Sequence, residues 1–279
     1  MGSDSFGPAG SAGDSPRPNL DTTMRTPGTC AMVRMAPISN RIDSSSEMLG
    51  TRLICGVNAP SFMVGMKDLP SQGNRATDPS NKAIAVRCDV SRRADVDAAV
   101  KATLDAFGTI DILVNNAGMP DAQRAHKMSL ELVDQVLGVN LRGPWILACE
   151  VARRLIAAGK PGRIVNISSV AHFRYDGGGA ALYAVTKTAI ARMTEALAVE
   201  WAHYNINVNA IAPGMFVSEM TDGMFARMGG NPADHLPRKR VPVPAQMDST
   251  LLYLVAPSSE CVTGATIRID DGQSARTRM

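Results

Sequence analysis

Arg163-Ile-Val-Asn-Ile-Ser-Ser169, followed fourteen residues after its last serine by Tyr183-Ala-Val-Thr-Lys187, decides how the rest of the chain reads. The first segment is a short apolar, β-branched run ending in two hydroxyls. That is the pattern of a buried strand running into a loop. The second opens a stretch with helical spacing, Ala180–His203. Its i, i+4 separation puts Tyr183 and Lys187 on one helix face, one turn apart. Strand, loop and helix therefore follow one another, with polar groups gathered where strand becomes loop.

Working outward, the alternation repeats. Short β-type runs stand at Ala83–Val86, Ile112–Val114, Asn207–Ile211 and Thr266–Ile269, and helical spacing fills Ala94–Phe107, Ser129–Ala158 and Ala245–Val255. Strands separated by helices imply an α/β fold: a doubly wound, mostly parallel sheet with helices on both faces, in a single domain. Such sheets bind ligands at the carboxyl ends of their strands, near the point where strand order reverses. Residues 1–35, rich in Gly, Ser, Pro and Thr, read as a mostly disordered tail, and 36–279 as the domain, with 36–75 atypical.

Composition narrows the function classes. A chain of 279 residues with 45% hydrophobic residues and a formal net charge of +3 can build one large core and shows no basic density for nucleic acid. Its longest basic patch is Arg238-Lys239-Arg240. The five cysteines, Cys30, Cys55, Cys88, Cys149 and Cys261, are scattered, without Cys-x-x-Cys spacing, so neither a disulfide framework nor a metal site is expected. A reducing cytoplasm fits that usage. No apolar run approaches the ~18–20 residues that span a bilayer, so no membrane is expected.

A free tyrosine, with a pKa near ~10, is a poor base at neutral pH, and a lysine ammonium one turn away favours its phenolate. Alone, Tyr-x-x-x-Lys says little, because most such pairs are a surface lysine beside a core tyrosine. Here Ser169, at a strand's carboxyl end, can hold a substrate oxygen beside the phenol. Upstream, Asp111-Ile-Leu-Val-Asn-Asn-Ala-Gly118 is an apolar strand ending in two amides, an alanine and a glycine, and Val139-Asn140-Leu141 sets an amide inside a long helix. Downstream, Ala212-Pro213-Gly214 follows another strand, with Ser218 and Met220 after it.

These segments, in order from about Ala83 to Gly272, resemble the short-chain dehydrogenase/reductases of the single-domain, Rossmann-like type. The resemblance implies an oxidoreductase that transfers a hydride between a nicotinamide cofactor and a secondary alcohol or ketone. Tyr183 would be the acid/base, Lys187 would lower its pKa and bind the nicotinamide ribose, and Ser169 would polarise the carbonyl, with Ser168 as the lesser candidate. Asn140 would anchor a water that relays protons from Lys187. Cofactor contacts are implied at Asp89 (adenine), Val90, Asn116, Ala117, Gly118, Pro213, Gly214, Phe216 and Ser218. Asn115 and Asn116 are read first as braces of the central sheet.

The glycine-rich string that this family carries near its start is missing. Counting back from Asp89 places it at Asp43-Ser44-Ser45-Ser46-Glu47-Met48-Leu49-Gly50, where Ser44 and Gly50 remain as cofactor-binding candidates. Met48 would obstruct approach to the phosphates, and Glu47 or Asp43 about 5 Å away would oppose them by on the order of 3 kcal/mol each. In that register the first strand is near Ile38–Ile42, a poor helix covers Thr51–Ala59, and Phe62–Asp68 is the second strand. Asp68, at its carboxyl end, would bind the ribose hydroxyls and favour NAD(H) over NADP(H). Two alternatives stay open: a register with Cys30–Met35 as first strand and Pro37–Asp43 as loop, and residues before about 75 that do not follow the family at all.

The segment after Gly214 would be a lid carrying Met215, Phe216, Met220, Met224, Phe225 and Met228. With Phe173 and Tyr175 it suggests an alcohol or carbonyl substrate with apolar bulk. The helices Ser129–Ala158 and Ala180–His203 and the last strand resemble the family's subunit contacts, implying a homo-oligomer, dimer or tetramer. A second reading is a catalytically silent oligomeric binding protein with impaired nucleotide binding. Asn140, Ser169, Tyr183 and Lys187 favour the enzyme; the loop at Ser44–Gly50 favours the silent protein.

Overall fold

A computed structural model of the chain describes residues 52–56, 62–67, 83–121, 123–175, 177–218, 220–222, 225 and 230–275. Contacts divide the chain into Met1–Cys30 and Ala31–Met279, and every described residue lies in the second unit. The strands are β1 (Arg52–Gly56), β2 (Phe62–Lys67), β3 (Ala83–Arg87), β4 (Ile112–Asn115), β5 (Gly162–Ile167), β6 (Ile206–Pro213) and β7 (Thr266–Ile269). They form one sheet in the order β3-β2-β1-β4-β5-β6-β7, parallel from β1 through β7.

Period-two alternation distributes the core over both faces. In β4, Leu113 faces the helices α1 (Arg93–Phe107), α3 (Gly143–Ala157) and α4 (Ala181–Trp201), in one cluster with Val100, Val151, Ile190 and Leu197. Its neighbours Ile112 and Val114 face the other way, against Leu254 and Val255 of α5 (Asp248–Val255). All four β4 residues are buried, as are seven of the eight in β6, so both strands are covered on both faces.

The expected helix over Ser129–Ala158 is two helices. Ser129 Oγ accepts from Leu132 N and starts α2 (Leu130–Leu137), and a π turn, Gly138–Arg142, then joins it to α3. Pro144 is the physical reason: it lacks an N–H, and its ring clashes with the carbonyl four residues back, that of Asn140. Widening the turn relieves the clash and lodges Asn140 at the bulge, a common feature of functional sites.

The first strands depart from expectation. Arg52–Gly56, expected to be helical within Thr51–Ala59, is the strand beside β4. The slot assigned to Ile38–Ile42 or Cys30–Met35 is thus filled by a later segment; those residues lie outside the described ones. β2 is antiparallel to both β1 and β3, with Lys67 opposite Arg52. Five residues join Gly56 to Phe62. A crossover between parallel strands takes a dozen or more, whereas antiparallel neighbours accept so short a link. An apolar run shows that a strand exists, not which way it points.

Candidate active site

Four segments meet at the carboxyl ends of β4 and β5. Tyr183 occupies the first turn of α4, an alanine-rich helix whose residues favour the state intrinsically. Lys187 lies one turn on, 4% exposed, with Nζ 5.5 Å from the Tyr183 ring centroid and donating to Ile167 O at 2.8 Å. Burial pushes its pKa down to about 8. Ser169 follows β5 and starts the turn Val170–His172, its Oγ accepting from Ala171 N. Its hydroxyl lies near enough to the Tyr183 side chain to act on the phenol's pKa.

Burial raises the Tyr183 phenol above its ordinary value, the Ser169 hydroxyl lowers it, and the charge of Asp121 raises it. Desolvation of the phenolate is the largest of these effects, and Lys187, expected to lower the value, is not among its causes. The adjacent Ser168 has a different place: its hydroxyl is buried and donates to Lys187 O at 2.9 Å, fixing the α4 backbone. His172 sits by both serines, with Nδ1 2.8 Å from Ser169 O and 3.3 Å from Ser168 Oγ.

Asn140, 1% exposed, clamps the chain that leaves β4. Its Oδ1 accepts from Met119 N at 2.8 Å, and its Nδ2 donates to Met119 O at 2.9 Å and to Thr186 Oγ1 at 3.3 Å. Replacing Asn140 with alanine removes all three bonds and leaves two main-chain groups of Met119 without protein partners. Unfolding free energy should drop by roughly 2–3 kcal/mol. Chemical denaturation checks this, and an unchanged midpoint would contradict the clamp.

Asn115 and Asn166 brace the sheet: Asn115 Nδ2 donates to Asn166 Oδ1 at 2.8 Å, and Asn166 Nδ2 to Thr194 Oγ1 at 3.0 Å. A cleft beneath this brace is lined by Val90, Asn115, Asn116, Ala117 and Pro144, among others, and Asn115 Oδ1 is buried there without a hydrogen-bond partner. Gly118 borders Lys187 and Asn140. A Cβ at this position would stand 3.5 Å from Lys187 Nζ and 3.7 Å from Asn140 Oδ1, filling the space above them.

Asp89 Oδ1 accepts from Ser91 N and Ser91 Oγ, so one of its oxygens already holds its own loop. Pro213 ends β6, and Gly214 N donates to Ile269 O. A Cβ on Gly214 would come 2.6 Å from Gln273 Oε1 and 2.8 Å from Asp270 Cβ. Phe216 is buried, and Ser218 pairs with Thr221. Phe173 and Tyr175 are 52% and 46% exposed. Ser44, Gly50 and Asp68 lie outside the described residues, as do Met224 and Met228.

Sequence reasoning missed two residues that shape this site. Asp121, 3% exposed, caps α4 by accepting from Tyr183 N at 3.1 Å. Gln273 grips the start of the lid, accepting from Met215 N at 2.6 Å and donating to Met215 O at 3.2 Å. Both act across about 60 residues of chain, which no local pattern records.

The nicotinamide–ribose end of the cofactor implied by the resemblance fits the residues present. A buried lysine donor, an open glycine and an unpartnered amide oxygen surround the space it needs. The pyrophosphate end differs from the usual arrangement. The helix N-terminus that binds phosphate follows the first strand in dinucleotide folds. Here β1 is joined by five residues to an antiparallel strand, and its carboxyl-end neighbour Phe62 begins β2 rather than ending it.

Comparison with known proteins agrees with the site. Residues 63–274 match the family described as Enoyl-(Acyl carrier protein) reductase. The chain is similar to an NAD-dependent glycerol dehydrogenase of Listeria innocua, 32% identical over 212 residues, 76% of this chain and 81% of that protein. It is similar in structure to a short-chain type dehydrogenase/reductase from Mycobacterium marinum, with a TM-score of 0.66 and 28% identity over 69% of this chain and 76% of that one. It is also similar to a gluconate 5-dehydrogenase from Burkholderia cenocepacia in complex with NADP and tartrate, with a TM-score of 0.63 and 31% identity over 68% and 74%. With the geometry above, these matches show that the chain belongs to the short-chain dehydrogenase/reductase family and is a nicotinamide-dependent oxidoreductase of alcohol and carbonyl groups.

Proposed function

We propose that Tyr183 exchanges a proton with the oxygen of a secondary alcohol or ketone carrying apolar bulk, held by Ser169. The observation that carries this is Lys187, buried one turn from Tyr183 with Nζ 5.5 Å from its ring centroid, beside Ser169 at the end of β5. The nicotinamide ring supplies or accepts the hydride, which is the cofactor's own chemistry. Ser169 orients the reacting oxygen, and Tyr183 gives its proton to that oxygen in reduction or takes one in oxidation. Lys187 holds the ribose and replenishes the proton. Both amide N–H groups of Asn140 are engaged, so its part in relaying protons would pass through its main-chain carbonyl. The half-exposed rings of Phe173 and Tyr175 support the apolar bulk.

A panel of secondary alcohols and ketones, followed by nicotinamide absorbance, tests the reading. No turnover with any of them, by protein that binds NAD(P)(H), would overturn it. That outcome would favour the silent binding protein, for which neither the site nor the relatives give support.

The cofactor is NAD(P)(H), and the relatives include both an NAD-dependent enzyme and an NADP complex. The reading of Asp68 as the group that favours NAD(H) placed it at the ligand edge of a parallel strand. Lys67, the residue before it, stands opposite Arg52 at the amino end of β1, the far edge of the sheet. The Asp68→Ala variant should therefore keep its ratio of NAD(H) to NADP(H) efficiency within about threefold of the parent, under ~0.7 kcal/mol. A tenfold swing towards NADP(H) in steady-state kinetics would return Asp68 to the cofactor.

Self-association as a dimer or tetramer is part of the proposal. Val185 and Val199 on α4 and Trp145 on α3 are 60%, 80% and 47% exposed, and light scattering measures the outcome. No described helix is long and apolar enough to cross a membrane. The unpaired Cys88, Cys149 and Cys261 support a cytoplasmic setting.

A further inference from the structure

We propose that Asp121 is a positioning residue for Tyr183, which fixes the first turn of α4 and sets an uncompensated negative charge against the turn that carries the phenol, so that Tyr183 is kept as the proton donor for carbonyl reduction over the neutral range. This rests on the acid/base reading of Tyr183 and adds to it the form in which the residue waits.

Three observations converge. First, α4 begins without a side-chain cap of its own: Ala180 precedes it, and Tyr183 N finds its acceptor in Asp121 Oδ2 at 3.1 Å, 62 residues upstream. A carboxylate suits that place, because the free N–H groups of a helix start attract negative charge. Second, Asp121 is held from its other side. It follows Met119-Pro120, and Met119 is gripped through both main-chain groups by Asn140. The backbone that leads into Asp121 is therefore fixed. Third, its Oδ1 is buried without a hydrogen-bond partner, and none of the described ion pairs includes Asp121. A cap needs only an acceptor, which serine or asparagine supplies at this kind of position. A buried carboxylate with one bare oxygen is a costlier choice, and its charge is what distinguishes it.

Among the described residues no cation forms an ion pair with Asp121, and on its own segment Arg124 is exposed and donates to Gly177 O. On α4 itself Lys187 faces the Tyr183 ring but bonds Ile167 O. After β5, His172 is engaged with Ser168 and Ser169. In the π turn Arg142 is exposed and donates to Ser91 O. On α2, Glu131 and Asp134 are exposed. From β7, Arg268 lies over Phe173 and beside Asp270. The charge of Asp121 adds to burial in opposing the phenolate. The equilibrium of the reaction belongs to the two redox couples. What Asp121 sets is the pH range in which Tyr183 can donate, and the alkaline shift needed before it can accept.

The experiment needs no substrate. Tyrosinate absorbance is titrated in the whole chain, and the Tyr183 signal is isolated by subtracting the Tyr183→Phe protein, which retains Tyr175, Tyr204 and Tyr253. The test variants are Asp121→Asn and Asp121→Ser, which keep an acceptor oxygen and remove the charge. The Tyr183 midpoint should fall measurably in each, since the opposing charge is gone and the cap remains. Thermal midpoints should stay near the parent's, while Asp121→Ala, lacking any acceptor, should unfold earlier. An unmoved Tyr183 midpoint in either folded neutral variant would reduce Asp121 to a cap and overturn the proposal. So would failure of both neutral variants to fold, since the carboxylate would then serve the fold itself. Loss of turnover in every protein with the midpoint shift intact would instead count against the substrate reading, leaving the effect of Asp121 on Tyr183 established.

Discussion

Tyr183→Phe should lower turnover by at least ~10²-fold while changing nicotinamide affinity by less than about threefold. The substitution deletes one oxygen. The ring keeps its place in the first turn of α4, with Lys187 Nζ facing it, and the main-chain bond to Asp121 is untouched. What disappears is the hydroxyl and the proton it can transfer. Ser169 retains its contact with Ala171 N, so its hydroxyl is not stranded. Lys187 remains bonded to Ile167 O, and the groups that meet the ribose stay as they were. Rate and affinity should therefore separate, as expected when an interaction acts only in the transition state. Single-turnover kinetics with a saturating cofactor and a ketone accepted by the parent give the ratio. Near-normal turnover would remove Tyr183 from the chemistry, and a parallel loss of cofactor affinity would mean that the phenol serves binding instead.

The parts that were legible in the sequence share one property: their signal is local. Ile112-Leu-Val114 is short and continuously apolar, and Asn207–Ile211 is short with Val208, Ala210 and Ile211 around Asn209; runs of this length and β-branched content suit a strand buried on both faces. Tyr183 and Lys187 carry their relation in the i, i+4 spacing, and Ser169 in its position after a strand. The π turn was also written locally, in Gly143-Pro144, but periodicity passes over a single widened turn. Strand direction was not written in Phe62–Lys67 at all. Only the five-residue link from Gly56 encodes it, and that count means something only once Arg52–Gly56 is known to be a strand. Asp121 and Gln273 were hidden for a different reason. Each completes a main-chain hydrogen bond in a distant segment, and the partner, being backbone, leaves no residue-type signature to match. What escaped was thus the set of contacts that hold Ser169, Tyr183 and Lys187 in place, although the grouping of the three was plain.

Replacing Lys187 with methionine should make that division measurable, because it removes a functional group that burdens the fold. The ammonium is buried, and burial takes its pKa from an ordinary 10.5 down to about 8. A lysine that binds its proton more weakly when folded favours the unfolded chain wherever the proton is present. Below about pH 8 both states are protonated and the folded one bears the whole penalty; between about 8 and 10.5 the folded state has released its proton and the unfolded one has not, so stability rises with pH. The gap corresponds to roughly 3 kcal/mol as an upper figure. Methionine keeps an unbranched stem that fills the same channel without a charge, and forfeits the bond to Ile167 O, about 1 kcal/mol. At pH 7 the variant should therefore be more stable than the parent by about 2 kcal/mol, raising the thermal midpoint by roughly 4–8 °C in a chain of this size. The advantage should shrink as pH rises and be gone by about pH 10, where the parent has shed its penalty and the variant still lacks the bond. Turnover should fall by at least ~10²-fold throughout, since nothing else in the site can hold the ribose and return a proton to Tyr183. Thermal unfolding of both proteins at several pH values decides the matter. A variant less stable than the parent at pH 7, by a margin that does not vary with pH, would show that the ammonium supports the fold and that its bond to Ile167 outweighs its burial.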